Sequence, residues 1–284
     1  MTISFSLNST AFVSRLFIMS LRKKIFVSFF LLLCFFPSGL HAATGFDYSA
    51  WDAFLKKNVN EKGEVDYQSI SKDPKELNDC LALLLAAEPK IVSWPREEAL
   101  AYWLNAYHVA LIKMVVENYP VTTVQKIPSF WDIASNGFKL SLNDIRASNL
   151  IGVYHDEKIH LALSVAAKDG PKLMREAFTG PKVEGQLFLL TRQFVTDPAN
   201  VDITPGRKKI RISKIFKWYG NDFKLDFGNP EPRGKFSESD NAVLSFFAYY
   251  LEDEAKEEYL QDAKYKIQYP AFDWSLNDWK KRAT

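Results

Sequence analysis

The chain has 284 residues, with 36 lysines and arginines against 34 aspartates and glutamates, and is 47% hydrophobic and 25% charged. That composition excludes a disordered chain, a collagen-like fibre and a cysteine-rich scaffold. The aromatic share of 14% points to a large core with aromatic-lined surfaces.

The N-terminal 42 residues read as an export signal. Arg22, Lys23 and Lys24 precede a twelve-residue stretch, Ile25 to Phe36, that is apolar but for Ser28. Pro37-Ser38-Gly39 breaks it, and Leu40-His41-Ala42 ends on a small residue suited to a signal peptidase. Twelve residues fall short of the ~20 that a membrane-spanning helix needs. Counted from Met19, the segment has the compact form of such signals. A periplasmic or secreted protein is therefore expected, with no stable membrane anchor after cleavage. Removing Arg15, Arg22, Lys23 and Lys24 leaves 32 bases against 34 acids. With no basic patch left, no nucleic-acid partner is expected. Cys80 would then be the remaining cysteine, in the helical pattern Leu77 to Leu83, and reads as a small buried apolar residue.

Residues 43–284 are expected to form a single globular domain. Phe46 to Leu55 has the spacing of an amphipathic helix. Asn60 to Glu64 is turn chemistry, and Val65-Asp66-Tyr67 alternates like a short strand. Asp73-Pro74 opens a helix through Ala87, and Pro89 and Pro95 bracket a loop. Residues 96–118 form the clearest helix, with Ser93 as a candidate cap and Glu97 and Glu98 at the positive end of the dipole. It is apolar nearly all round, as expected of a buried central helix.

Further on, Ser141 to Ile145 resembles a capped helix start. Lys158 to Leu173 fits helix and strand about equally. Glu176 to Phe194 reads as a helix after the break at Gly180-Pro181. Residues 201–212 read as a β-hairpin, and Ser213 is placed to cap a helix from Lys214 to Tyr219. Ser239 to Glu258 is a further helix, and Lys264 to Tyr269 a strand. The predicted fold is α+β: a predominantly helical single domain with a small antiparallel β-sheet.

No GxGxxG, P-loop, HExxH or GxSxG motif occurs, nor any Cys/His cluster of metal-ligand spacing, so no metal and no cofactor is expected. Two places can carry chemistry. On the central helix, Glu98, Tyr102 and Asn105 share a face, with His108 close to it. Polar groups on a buried helix need partners, so the stripe is either a satisfied core network or a site that shifts pKa values. The second place runs from His160 to Pro171. His160 is a conceivable base and Ser164 a conceivable nucleophile, and Asp169 and Gly170 stand at its turn. A hydrogen-bonded structural histidine is the competing reading.

These same blocks resemble a known family, the domain of unknown function 547. Glu98 to Tyr107 resembles its E-x-L-A-F-W-I-N-A-Y block, and Tyr119-Pro120-Val121 its Y-P-V. Ser141 to Ile145 is similar to its S-L-D-D-I, and His160-Leu161-Ala162-Leu163 with Pro171 and Leu173 to its H-F-A-L…C-P-x-L. Ser213 to Phe223 resembles S-K-I-F-K-W-Y-x-x-D-F, and Tyr269 to Asn277 the terminal Y-D-W-S-L-N. The resemblance spans about 46–277. It implies a cysteine in many members where this chain has Gly170, and often one where it has Val165. His108 also replaces the usual asparagine. If such a thiol were the family's nucleophile, this chain cannot run the same covalent chemistry.

Two functions stay open. One is a catalytically silent relative binding a peptide-like or small ligand in a cleft that includes His108, Ser164, Asp169 and Gly170. The other is a hydrolase or transferase using His160, Glu98 and Asn105.

Overall fold

A computed structural model describes residues 45–135, 137–228 and 233–279. The expected signal, residues 1–42, lies outside them.

Helix α1 (Ser49–Asn58) buries Trp51, Phe54, Leu55 and Asn58, the i, i+3, i+4, i+7 stripe that its sequence spells. Val65 makes isolated bridges to Val59 and Asp278, but no strand forms at 65–67. Asp66 instead accepts a hydrogen bond from the Ser69 backbone and caps α2 (Tyr67–Lys72). Three alternating residues are too few to outweigh a side-chain cap. Helix α3 (Lys75–Ala87) turns Leu77, Cys80, Leu81 and Leu84 inward. Burial pushes the Cys80 thiol up to about 11, as expected of an inert core thiol. The predicted loop between the prolines is a 3₁₀ turn, Glu88–Ser93.

Helix α4 (Arg96–Glu117) is the axis of the fold. It is long and apolar enough to cross a membrane, yet most of it is wrapped in protein. Its N-cap is Pro95 rather than Ser93, whose hydroxyl donates to the Lys90 carbonyl. Next comes the helical run 142–154, here α5. Ser141 and Asp144 close a capping box at its start, and the middle, Ile145–Ile151, is wound as a π-helix. The short α6 (Ile159–Ala162) follows, then an irregular run to Thr179. Helix α7 is Val183–Thr196.

Strands β1 (Val201–Asp202) and β2 (Lys209–Ile212) pair antiparallel as the predicted hairpin. Ser213 caps α8 (Lys214–Tyr219), and α9 (Lys224–Phe227) follows. The helix predicted over 239–258 is two, α10 (Glu238–Leu251) and α11 (Glu254–Asp262). The chain breaks between them where Glu252 takes a left-handed φ of 50° and Asp253 caps the second. Strand β3 (Lys266–Gln268) pairs parallel with β2, so the sheet is mixed rather than antiparallel. The helices between β2 and β3 carry the chain back to the same end, and a crossover of that kind gives parallel strands.

Two apolar clusters fill the interior. One surrounds α4 and takes in α1 to α3, α5 and the first half of α7. The other packs β1 and β2 against α8 and α10 with a dense set of phenylalanines. Helix α6 lies between them: Ile159, Ala162 and Leu163 belong to the first cluster and Leu161 to the second.

The segment 273–279 straps distant parts together. Leu276 donates from its backbone to Thr122, and Asn277 accepts from Val65. The Tyr67 hydroxyl donates to Asn277 Oδ1 at 3.0 Å, and Asn277 Nδ2 donates to the Gly63 carbonyl at 3.2 Å. Asn277→Ala should leave the buried Tyr67 hydroxyl unpaired and lower stability by roughly 1–3 kcal/mol. A urea midpoint unchanged from wild type would refute this role for the strap.

Candidate functional site

The polar stripe of α4 is consumed by the fold. Asn105 is 1% exposed. Its Oδ1 accepts from Trp51 Nε1 at 3.1 Å and from the Phe178 backbone at 3.0 Å. Its Nδ2 donates to the carbonyls of Ala101 and Phe178, both at 2.8 Å. Both donors and both lone pairs are thus engaged, and none remains for a substrate. The amide copies a strand edge and holds the irregular run 163–179 against the helix.

His108 does the same one turn on. It is 2% exposed, and its Nε2 accepts from the Ser164 backbone at 3.2 Å. It stacks on Phe178 with the rings nearly parallel. Burial lowers its pKa to about 4, against smaller opposing contributions from the Leu104 and Ala162 backbones, so the ring is neutral at pH 7. The Ser164 hydroxyl accepts from the Ala166 backbone at 3.3 Å. Asp169 Oδ2 accepts from the Asp273 backbone at 2.7 Å and tethers the strap. Glu98 packs against Gly45 and Gly180, where a β-carbon would collide with its carboxyl group. The structure therefore does not bring Glu98, Asn105, His108, Ser164 or Asp169 to the wall of a cleft with His160.

His160 is different. It is 3% exposed, and its Nε2 lies 2.8 Å from Asp222 Oδ2. A carboxylate there accepts the Nε2 proton, which leaves Nδ1 with a bare lone pair. Nδ1 is buried and has no hydrogen-bond partner among the described residues. Tyr219 stacks on the ring at 4.1 Å. Burial pulls the imidazole below its ordinary pKa, and Asp222 opposes that only in part. The hydrogen bond from His160 in turn holds Asp222 below the usual carboxylate range.

His160 lines a cavity of about 210 Å³ at the seam of the two clusters. Tyr107, Trp131, Leu163 and Val165 line it from the α4 side. Ile215, Trp218 and Tyr219 line it from the α8 side, and the strap adds Trp274. Trp218, Phe272 and Trp274 pack on one another with centroids 4.6–5.6 Å apart. The polar wall is Asn143 and Arg146, both from α5. Arg146 Nη2 donates to Asn143 Oδ1 at 3.1 Å, and the guanidinium lies 5.0 Å from the Tyr219 ring centre.

The family described as "Protein of unknown function, DUF547" matches residues 91–195. This stretch is a DUF547 segment. It carries α4 to α7 and, with them, His160, Val165, Asn143 and Arg146. Asp222, Trp218, Tyr219 and Trp274 lie beyond the matched stretch, though the blocks quoted for the resemblance contain them. No curated protein and no solved structure matches the chain.

The two DUF547 positions where the resemblance implies thiols are neighbours. A β-carbon on Gly170 would stand 2.6 Å from Val165 Cγ2. Glycine at 170 thus makes room for valine at 165, and it is the valine that faces the cavity. Sequence reasoning missed Asp222, Arg146 and the tryptophans as site residues. Asp222, Trp218 and Trp274 stood only as unassigned letters of the resemblance blocks, and Arg146 and Trp131 lie outside those blocks.

The buried titratable groups have opposite linkage. The folded pKa of His108 is depressed, so its contribution is full above the unfolded value near 6.5 and is lost as pH falls towards 4. His160 acts in the same direction. Burial raises Glu157 to about 7, so its contribution is full below about 4.5 and is lost as pH rises to 7. In wild type these oppose one another between about 4.5 and 6.5. His108→Asn should uncover the Glu157 trend. Its unfolding free energy from urea titration should decline more steeply with rising pH than that of wild type, by up to roughly 3 kcal/mol across the window. Parallel pH profiles for the two proteins would rule this out.

Proposed function

We propose that the chain holds a small ligand non-covalently in the cavity beside His160, as a catalytically silent member of its family. The observation that carries this reading is the lining. It contains an imidazole backed by a carboxylate, the arrangement that activates a nucleophile. Yet no cysteine, serine, threonine or lysine stands among the residues around it. Val165 occupies the wall where the resemblance implies a thiol, and burial raises the pKa of the Tyr107 hydroxyl and keeps it protonated. What remains is a set of aromatic faces with one amide and one guanidinium, the composition of a recognition surface.

Restoring the sulfur tests the reading. In Val165→Cys the introduced thiol should alkylate with iodoacetamide at pH 6 at least about tenfold faster than Cys80, because a nearby imidazole with a free lone pair raises the thiolate fraction. Adding His160→Ala should remove the advantage. An introduced thiol no faster than Cys80 would mean that the cleft is not built around that position. For binding, ligand-observed NMR against a library of small aromatic compounds should give hits that Trp274→Ala loses.

A second reading rests on the His160–Asp222 pair itself, whose buried Nδ1 lone pair is left free to take a proton from a group brought against the ring. It makes the chain a hydrolase with His160 as base. It predicts that a hit is consumed by wild type and left intact by His160→Ala, whereas the first reading predicts recovery of the ligand unchanged from both.

We also propose export, on the strength of the basic, apolar and small-residue order of residues 22–42. Protein recovered from the periplasm or medium should begin after Ala42. Cytoplasmic protein that retains this segment would refute it.

A further inference from the structure

We infer that the ligand of this cleft is an organic carboxylate with a flat apolar body, its carboxylate seated on Arg146. The inference rests on the reading of the cavity as a binding cleft and names the class of ligand.

Arg146 is oriented before anything binds. Its guanidinium lies on Tyr219, and Asn143 Oδ1 takes one of its N–H bonds. A planar fork held on two sides has lost much of the freedom it would otherwise surrender on binding. Among the described residues, no carboxylate lies within ion-pair distance of it. Asp222 is the acid whose charge feels Arg146, and that carboxylate is bonded to His160. The fork therefore points to an acceptor supplied from outside, and a carboxylate matches it with two parallel hydrogen bonds.

The rest of the wall limits the charge and shape. Arg146 is the single cation in the lining, and no glycine-rich loop or lysine joins it. One fork suits a monoanion, whereas a phosphate would draw on more donors. Trp131, Trp218 and Trp274 supply flat apolar faces, which favour a planar partner. The volume of about 210 Å³ is below the roughly 300–1,000 Å³ of pockets that enclose drug-sized molecules. It suits one ring with a small acidic head. Such a group exists as a free aromatic acid and as the C-terminal residue of a peptide.

The test compares charge at constant shape. N-acetyl-phenylalanine and N-acetyl-phenylalaninamide are titrated calorimetrically into the full protein, beside a pentapeptide ending in phenylalanine with a free or an amidated C-terminus. The acid should bind about tenfold or more tightly than its amide. Arg146→Gln should abolish that preference, while Arg146→Lys, which keeps the charge but not the fork, should fall between. N-acetyl-phenylalanine binding at least as tightly as the free-ended peptide points to a free acid; tighter binding of the free-ended peptide points to a chain terminus. Equal affinity of acid and amide in wild type overturns the carboxylate inference and leaves the cleft reading standing; this comparison does not depend on any variant folding. Neither probe binding at millimolar concentration, with no hit in the aromatic library, overturns both.

Discussion

The hydrogen bond between His160 and Asp222 joins two parts of the chain that are otherwise held by different cores. His160 stands on a four-residue helix whose neighbours divide between the α4 cluster and the phenylalanine-rich cluster. Asp222 follows α8 on the far side of the seam and keeps its side chain 42% exposed while its partner's is sealed. A buried imidazole with an acceptor on one nitrogen has its tautomer decided. The same contact fixes the ring flat against Tyr219 and, through Tyr219, the place of the Arg146 guanidinium. The cavity is the space this arrangement leaves at the junction, and its aromatic lining comes from both sides.

The stripe on α4 works behind that junction. Asn105 and His108 use their polar atoms to hold the backbone of Phe178 and Ser164. These are the two ends of the irregular run that follows α6, a stretch that lacks a ladder of its own. Without them the buried amides of that run would need other partners, at a cost of about 1–3 kcal/mol each. Their contribution to the site is positional: they place Leu163 and Val165 on the cavity wall. The C-terminal strap acts similarly from outside. Asp169 holds it by the Asp273 backbone, and Trp274 comes into the cavity with it.

Several features were legible because they are written within a few residues. The stripe of Trp51, Phe54 and Leu55, the all-round apolar α4, the Ser141–Asp144 box and the Ser213 cap each need no more than a turn or two of chain. Where two local patterns competed, the stronger local bond prevailed. Asp66 capped a helix instead of continuing a strand, and Asp253 capped a new helix after the turn at Glu252. The parallel pairing of β3 was not local. It follows from where α10 and α11 return the chain.

Sequence alone established a predominantly helical α+β chain, its resemblance to the unknown-function 547 family, and His160 as a residue of interest. It also singled out the polar face of α4, but periodicity cannot say whether such a face meets a ligand or a neighbouring backbone. Only the tertiary structure decided that Asn105 is saturated, that His108 serves Ser164, and that the acid behind His160 is Asp222, 62 residues away, rather than Glu98. It also decided that Arg146 and three tryptophans from separate segments share one wall. Caps and periodicities are encoded by neighbours a few bonds apart, whereas these partners are chosen by the packing of two cores.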